Sequence, residues 1–501
     1  MSGGDSAALA RKALEETRPF VVAGHTTVEW RLEQLELLRS ALLEEKDAMC
    51  KAINADLSVD EAQAILFQIS SIFGEVDGCI DNLAQWSAPY QVSTPAALQP
   101  ATSWVRPQPK GVVLVIGAWN YPFNVTIGPA ATALAAGNCL VVKPSELAPE
   151  SANVMQRIFD RLDGRAVRCV QGGAEIASTL VAQPFDHIVY TGGDRVAKLI
   201  LAAAAPNMTP VTLELGGKSP VIMCDGVNLK EACRRIATHK FTNTGQTCIA
   251  PDYVLVERGI RDKVVGLLTE EVRSMFGDKA HTAEHYGRLV NQLGADRLLA
   301  ALREDHGGKV LLGGASKPEG SFKESHRYVP PTLVLDPRPE SLLLENEIFG
   351  PILPIVTIDS YQEAIAYVNS KPKPLALYIF APSSIAERIL DKTSSGGAIV
   401  GDAIVHKGNP DLPFGGIGNS GMGRMHGIHG FRELSNERAV MYRPLWAPSP
   451  LSLPVNVTLA NAMYAYMTAR PGKFLRKNLL KFLGVLVLLI QLWARHKRSK
   501  A

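Results

Sequence analysis

Cys248 sits in TNTGQTCIAPDY (242–253), between a Gly-Gln-Thr turn and a proline. A thiolate is the best side-chain nucleophile near neutral pH, so a cysteine presented by a polar turn is a candidate for covalent chemistry. The chain has seven cysteines, at 50, 79, 139, 169, 224, 233 and 248. Taken blindly, any one of them reads as a small buried hydrophobe. Their number is odd, their spacing is irregular and there is no C-x-x-C. That pattern argues against a disulfide framework or a metal site, and for a reducing compartment. His239 and His406 invite a Cys–His hydrolase reading. Nothing in the sequence brings either to Cys248, and no Asn or Asp orienter is evident.

Two glycine loops invite a phosphate reading. Gly416, Gly418 and Gly421 fit G-x-G-x-x-G, but they follow Pro413 and Phe414 instead of a strand, and no helix-forming run opens on them. They are expected to make a tight, backbone-packed turn. Tyr190-Thr-Gly-Gly-Asp-Arg-Val-Ala197 lies in the better context, between a strand and a helix. There the backbone N–H groups and the helix dipole favour an anion.

The elements that would position these residues are legible as alternation. From residue 111, GVVLVIGAW, NCLVVKPSE, AVRCVQGG, DHIVYTGG and TPVTLELGG read as buried strands. TIGPAATALAAG, SANVMQRIFDRLD, AEIASTLVAQ and RVAKLILAAAAP read as the helices between them. Continuous apolar strands alternating with helices imply a parallel sheet covered on both faces, a doubly wound α/β unit. Ligands bind beyond the carboxyl ends of such strands. Asn120, Lys143, Gly192 and Glu214 all fall at or just after a strand end. A second α/β stretch runs from 216 to 405, with one long helix holding EACRRIATHKFTNTG. Residues 28–57 read as an amphipathic helix, with Leu32, Leu35, Leu38, Leu42 and Met49 on its packing face.

A chain of 501 residues is too long for one simple core, and 46% hydrophobic with 20% charged is ordinary for a folded protein. A formal net charge of +3 gives no reason to expect nucleic acid. The N-terminus lacks the apolar core of a secretory signal. The C-terminus differs from the rest. After a proline-rich stretch it ends in KFLRKNLLKFLGVLVLLIQLWARHKRSKA, apolar from Phe482 to Trp493 except Gln491. Residues 479–494 as a helix reach about 24 Å, against the ~30 Å of a bilayer core. Basic residues flank the run on both sides. The reading is a membrane tail that spans with local thinning or lies in the interface.

Taken together the motifs resemble the aldehyde dehydrogenase superfamily. The resemblance is carried by GAWNYPF (117–123), KPSE (143–146), TGGDRVAK (191–198), LELGGKSP (213–220), GQTCIAPDY (245–253), ENEIFGP (345–351) and LPFGGIGNSGMG (412–423). They stand in family order and cover residues 15 to 440. The forms around Cys248, Glu347 and Gly416 look most like the class 3 branch, which includes membrane-tethered fatty aldehyde dehydrogenases.

The resemblance implies an α/β fold with four parts. These are a Rossmann-like, doubly wound NAD(P)-binding domain (1–215), a second α/β catalytic domain (216–410), a bridging segment (411–445) and a linker with a C-terminal hydrophobic helix (446–501). It also implies a protruding oligomerisation strand region near 85–108. Cys248 would attack an aldehyde, with Asn120 facing the oxyanion and Glu214 as base for hydrolysing the thioester. Relatives that pass the acyl group to coenzyme A typically lack that base, so a free acid is the implied product. Lys143 and Glu146 would meet the adenosine ribose, and a carboxylate there favours NAD, with NADP possible. Thr191, Gly192, Gly193 and Val196 would line the pyrophosphate loop, with Leu215, Glu347 and Phe349 around the nicotinamide ribose and ring. Relatives commonly carry glycine at Ala197, a neutral residue at Asp194 or Arg195, and Asn-Asp at Gly401-Asp402. An alanine methyl could push the pyrophosphate, and Arg195 could attract it.

The implied substrate is a medium- or long-chain fatty aldehyde. An aromatic or apocarotenoid aldehyde is the alternative, and a catalytically idle membrane scaffold is the alternative of another class. The implied assembly is a homodimer. The implied location is the cytosolic face of a membrane, the endoplasmic reticulum first, then the outer mitochondrial or peroxisomal membrane.

Overall fold

The computed structural model describes residues 3–95, 98–316, 326–447 and 457–468. It divides into two compact units, Met1–Trp86 with Pro109–Ser435, and Ser87–Gln108 with Asn436–Ala501.

The large unit contains two sheets. The first has six strands in the spatial order Gly421–Met422, Val211–Glu214, His187–Thr191, Val112–Ile116, Cys139–Lys143 and Val167–Cys169. The last five run parallel, and only Gly421–Met422 is antiparallel to its neighbour. Val112–Ile116 and Cys139–Lys143 are buried at every position, as expected of strands with helices on both faces. Register aligns their ends: Ile116 pairs with Lys143, and Thr191 with Glu214. The second sheet has seven strands, in the order Lys309–Leu312, Thr332–Leu335, Ile352–Ile358, Tyr253–Glu257, Pro220–Met223, Ala376–Phe380 and Gly397–Val400. Only its first strand is antiparallel.

Three local expectations are corrected. The helix read over 28–57 is two helices, Val28–Glu44 and Lys46–Leu57, joined at Glu45 with φ −90° and ψ 4°. Leu35, Leu38, Leu42 and Met49 are fully buried, but Leu32 is 40% exposed. It falls to the side of the buried face, which runs through Arg31, Leu35, Leu38 and Leu42. The helix read through TNTG stops at Phe241, because Asn243 and Thr244 adopt left-handed backbone angles.

The small unit carries a three-stranded sheet, Tyr90–Val92, Thr102–Pro109 and Ser435–Tyr442, with the first two antiparallel. Tyr90 donates to Glu437 at 3.0 Å, and Arg106 to the Tyr442 hydroxyl at 2.6 Å. Tyr90, Val92, Met441 and Tyr442 are exposed. Among the described residues no helix is long and apolar enough to cross a membrane. The apolar run 479–494, and with it the expected C-terminal hydrophobic helix, lies outside them.

Candidate active site

The turn before Cys248 is built from unusual backbone. Asn243 and Thr244 have φ of 50° and 55°, and Gly245 has φ 74°. Each left-handed non-glycine residue costs about 1–3 kcal/mol and persists only where its surroundings over-determine it. Those surroundings are visible. The Asn243 amide donates to the carbonyl of Asn120 at 2.8 Å and to that of Gln246 at 3.3 Å. Gln246 is fully buried. Its amide donates to Asn243 O (3.1 Å) and Arg288 O (3.0 Å), and its side-chain oxygen accepts from Val290 N (2.9 Å). Gly245 is required, since a Cβ there would lie 2.2 Å from Gly350 O. Truncating Gln246 leaves the part-buried Arg288 O and Val290 N short of a partner, while Asn243 O keeps the Gln246 N–H. Gln246→Ala is expected to lose about 2–4 kcal/mol, read as a lowered urea midpoint. An unchanged midpoint would show that the turn stands without this network.

The turn leaves Cys248 half-buried, at the edge of a core of side chains from the second sheet. Burial pushes its thiol up to about 12, with Glu347 adding to the rise, Lys407 opposing it and Glu214 adding again. Asn120 reaches this turn from the loop after Val112–Ile116, and its side-chain amide donates to Gln246 O at 3.1 Å. Tyr121 follows, with its hydroxyl 2.7 Å from Thr247 Oγ1. Asn120 and the cysteine turn are thus directly bonded across 126 residues of chain.

Glu214 ends its strand with both carboxylate oxygens buried and unpartnered. Burial first, and the charge of Glu433, hold its carboxyl well above the usual range, against the pull of Arg424. Arg424 is itself fixed by donating to Gly416 O (2.5 Å) and Gly423 O (2.7 Å). The glycine segment therefore packs backbone against backbone. A Cβ on Gly416 would lie 2.0 Å from Ser420 O, and one on Gly421 2.1 Å from Leu213 O. Leu215, buried, donates its N–H to Ser420 O at 3.1 Å.

The residues expected at a dinucleotide lie along the carboxyl edge of the first sheet. Lys143 is 2% exposed and donates to Glu146 at 2.9 Å and to Pro144 O at 2.9 Å. Burial raises the Glu146 carboxyl, but the Lys143 bond, the group's own backbone N–H and the Lys143 charge together hold it low. Thr191 ends its strand, and the Gly192 N–H is engaged by Glu214 O at 3.0 Å. Gly193 precedes the helix Asp194–Ala204 as its N-cap. Val196 and Arg195 are exposed, whereas Ala197 is buried in the core. The Ala197 methyl is therefore taken up by packing. Asp194 pairs with Lys198 at 3.0 Å.

On the other side, Glu347 lies so close to Gly216 that a Cβ there would meet its carboxylate at 2.4 Å. Burial, and then Asp252, push Glu347 up to about 8, against the Gly217 N–H, Lys218 and Lys240. Phe349, at φ 49°, sets its ring edge-on to Trp119 at 5.4 Å. Lys218 ties these motifs together through Asp252, Leu343 O and Asn346 O. A buried cation beside a partly exposed carboxylate suits a ribose diol, and an exposed helix N-terminus suits a pyrophosphate. The residues present fit a nicotinamide dinucleotide. Among the described residues no cluster suits a metal ion.

His239 does have an acidic partner that the sequence did not reveal. Its Nε2 lies 3.3 Å from Asp402, which also pairs with Arg235 at 3.3 Å. His406 stacks edge-on against Tyr378 at 6.2 Å. No hydrogen bond joins either histidine to Cys248. Sequence reasoning missed Tyr121, Asn243, Gln246, Arg424 and Lys407, because none lies at a strand end with a recognisable spacing.

Residues 5–440 match the family model described as the aldehyde dehydrogenase family. Among curated relatives, "Aldehyde dehydrogenase, dimeric NADP-preferring" of Mus musculus is 38% identical over 85% of this chain and 95% of its own length. "Aldehyde dehydrogenase family 3 member A2" of Rattus norvegicus is 41% identical over 83% of this chain and 84% of its own length. A substrate-bound structure of Staphylococcus aureus AldH superposes with a TM-score of 0.86 at 35% identity, over 91% of this chain and 99% of that one.

Proposed function

This chain belongs to the aldehyde dehydrogenase family and oxidises aldehydes with NAD(P); from that premise we propose that Cys248, Asn120 and Glu214 carry the reaction and that fatty aldehydes are its substrates. The observation that carries the residue assignment is the buried, unpartnered carboxyl of Glu214. A carboxyl left without a hydrogen bond is poised to take a proton from water.

Cys248 attacks the carbonyl carbon as a thiolate, and the C=O electron pair moves onto oxygen. The Asn120 amide and the Cys248 N–H face that charge. NAD(P), when held by Lys143, Glu146, the 191–196 loop, Leu215, Glu347 and Phe349, supplies the hydride acceptor. Loss of hydride from carbon leaves a thioester on Cys248. Glu214 accepts a proton from water as the oxygen adds to the thioester carbon. The C–S bond then breaks, returning thiolate and a carboxylic acid.

The substrate reading is supported by the tail. A basic-flanked apolar run suits an enzyme held at a membrane, where long-chain aldehydes concentrate. Endoplasmic reticulum is the membrane proposed, with the enzyme facing the cytosol. A homodimer is supported by the printed name of the mouse relative and by the exposed apolar residues of the three-stranded sheet. Residues 1–215 are proposed as the cofactor half, 216–410 as the catalytic half, 411–445 as the bridge and 446–501 as linker and tail.

The test is NADH formation with hexadecanal and with a short soluble aldehyde, for the full chain and for one ending at 445. Truncation is expected to abolish co-sedimentation with anionic vesicles and to leave short-aldehyde turnover within about twofold. Equal vesicle binding by both forms, or no preference for chain length, would sink the membrane and substrate readings.

A further inference from the structure

Among the groups near the nucleophile, Lys407 has no part in the reaction as read so far. It lies in the short turn Val405–Gly408, after the strand Gly397–Val400. Its placement is built by the backbone before it. Ile404 has φ 63° and ψ −42°, which a β-branched residue rarely adopts. Asp402 accepts from Ala403 N at 2.8 Å and is anchored to Arg235 and His239.

The ammonium donates to Asn124 Oδ1 at 3.0 Å and lies 5.8 Å from the centroid of the Tyr121 ring. The Tyr121 hydroxyl in turn bonds Thr247, the residue before Cys248. Among the described residues the ammonium forms no ion pair within 4 Å. Burial pulls its pKa down, and the charges of Cys248 and Glu75 pull it back.

The other groups that face this pair are few. Burial pushes Glu75 up to about 7, against Lys407. His426 lies 3.4 Å from Glu75 and is held down to about 3, first by burial, then by Lys407 and His406. Burial lowers His406 as well. Tyr121 and Tyr378 are both raised by burial and stay neutral. Glu347 and Glu214 both oppose a negative sulfur. Lys407 is the cation among the described residues whose charge favours it.

We propose that Lys407 is a positioning residue for the nucleophile: its ammonium, held by Asn124 and the face of Tyr121, supplies the positive charge that stabilises the Cys248 thiolate when the thiol proton passes to solvent. The inference rests on Cys248 being the nucleophile, as read above.

The test is peptide-resolved alkylation of the cofactor-free full chain by iodoacetamide, from pH 6 to 9, in wild type, Lys407→Met and Lys407→Arg. Lys407→Met is expected to slow alkylation of Cys248 about threefold or more at each pH. Losing about one pH unit of thiolate fraction would slow it tenfold, but a more basic thiolate is intrinsically more reactive. Lys407→Arg is expected to restore most of the rate, since it keeps the charge. The rate at Cys169, partly exposed on the edge strand Val167–Cys169 of the first sheet, serves as the folding control. Should Lys407→Met change the Cys169 rate, Lys407→Gln takes its place. Equal Cys248 rates in wild type and the neutral variant would overturn the proposal. So would an arginine variant as slow as the neutral one, which would make shape the cause. NADH formation by wild type is followed alongside. Its absence would count against the residue assignment of the dehydrogenase, whereas the alkylation rates judge Lys407 alone.

Discussion

Glu214→Gln is expected to give a burst of about one reduced cofactor per subunit, followed by steady turnover about 10²–10⁴-fold below wild type. Glutamine keeps the shape of the side chain and cannot accept the proton of the attacking water. The thioester on Cys248 should therefore accumulate and be visible as an acyl adduct by intact-mass measurement. A variant that turns over steadily with no adduct would remove Glu214 from the mechanism.

The same substitution has a stability signature with a definite sign. The Glu214 carboxyl is raised in the folded chain by burial and by Glu433. Between its unfolded value near 4.3 and the higher folded value, the folded state holds a proton that the unfolded state has released. Stability therefore falls as pH rises through that window, by about 1.4 kcal/mol per pH unit. Glutamine has no such proton to lose. Glu214→Gln should match wild type near pH 4 and exceed it increasingly toward neutral pH, in urea titrations at a series of pH values. The raised carboxyl also means that the base becomes competent only as pH rises. Acyl-enzyme hydrolysis should be faster on the alkaline side.

Cys248→Ser is expected to lower turnover by at least about 10³-fold while leaving dinucleotide binding intact, followed by quenching of protein fluorescence. A serine hydroxyl is far less acidic than a thiol, and the environment that raises Cys248 would hold the hydroxyl protonated. Among the described residues no hydrogen bond joins the Cys248 sulfur to a group that could act as its dedicated base. Retention of about a tenth of wild-type activity would end the nucleophile assignment.

What could be read from the sequence alone was whatever depends on short range. Val112–Ile116 and Cys139–Lys143 are so apolar that they can only be buried strands. A strand, a turn and a helix within thirty or so residues announce themselves, because hydrophobic period and turn chemistry are local. Placing Asn120, Lys143, Gly192 and Glu214 at strand ends followed from that pattern. The reading of 416–421 as a backbone-packed turn was available for the same reason, since no helix-forming run follows it, and the structure gives it only the single 3-10 turn Gly418–Ser420.

Tertiary structure decided the rest. TNTG has helical neighbours, yet it unwinds, because Asn243 gains Asn120 O and Gln246 gains Arg288 O and Val290 N. Those partners lie 42 to 123 residues away, and no window of sequence contains them. Leu32 has the same residue type as Leu35 and nearly the same spacing, but only packing decides which of them meets the core. Lys407 and Arg424 look like solvated charges in the sequence. Folding carries one toward Cys248 and the other toward Glu214, where burial lets a single charge act with little screening. Periodicity records which side chains turn inward, whereas a pKa or a strained turn depends on what each meets there, and that is settled only when the sheets close around the site.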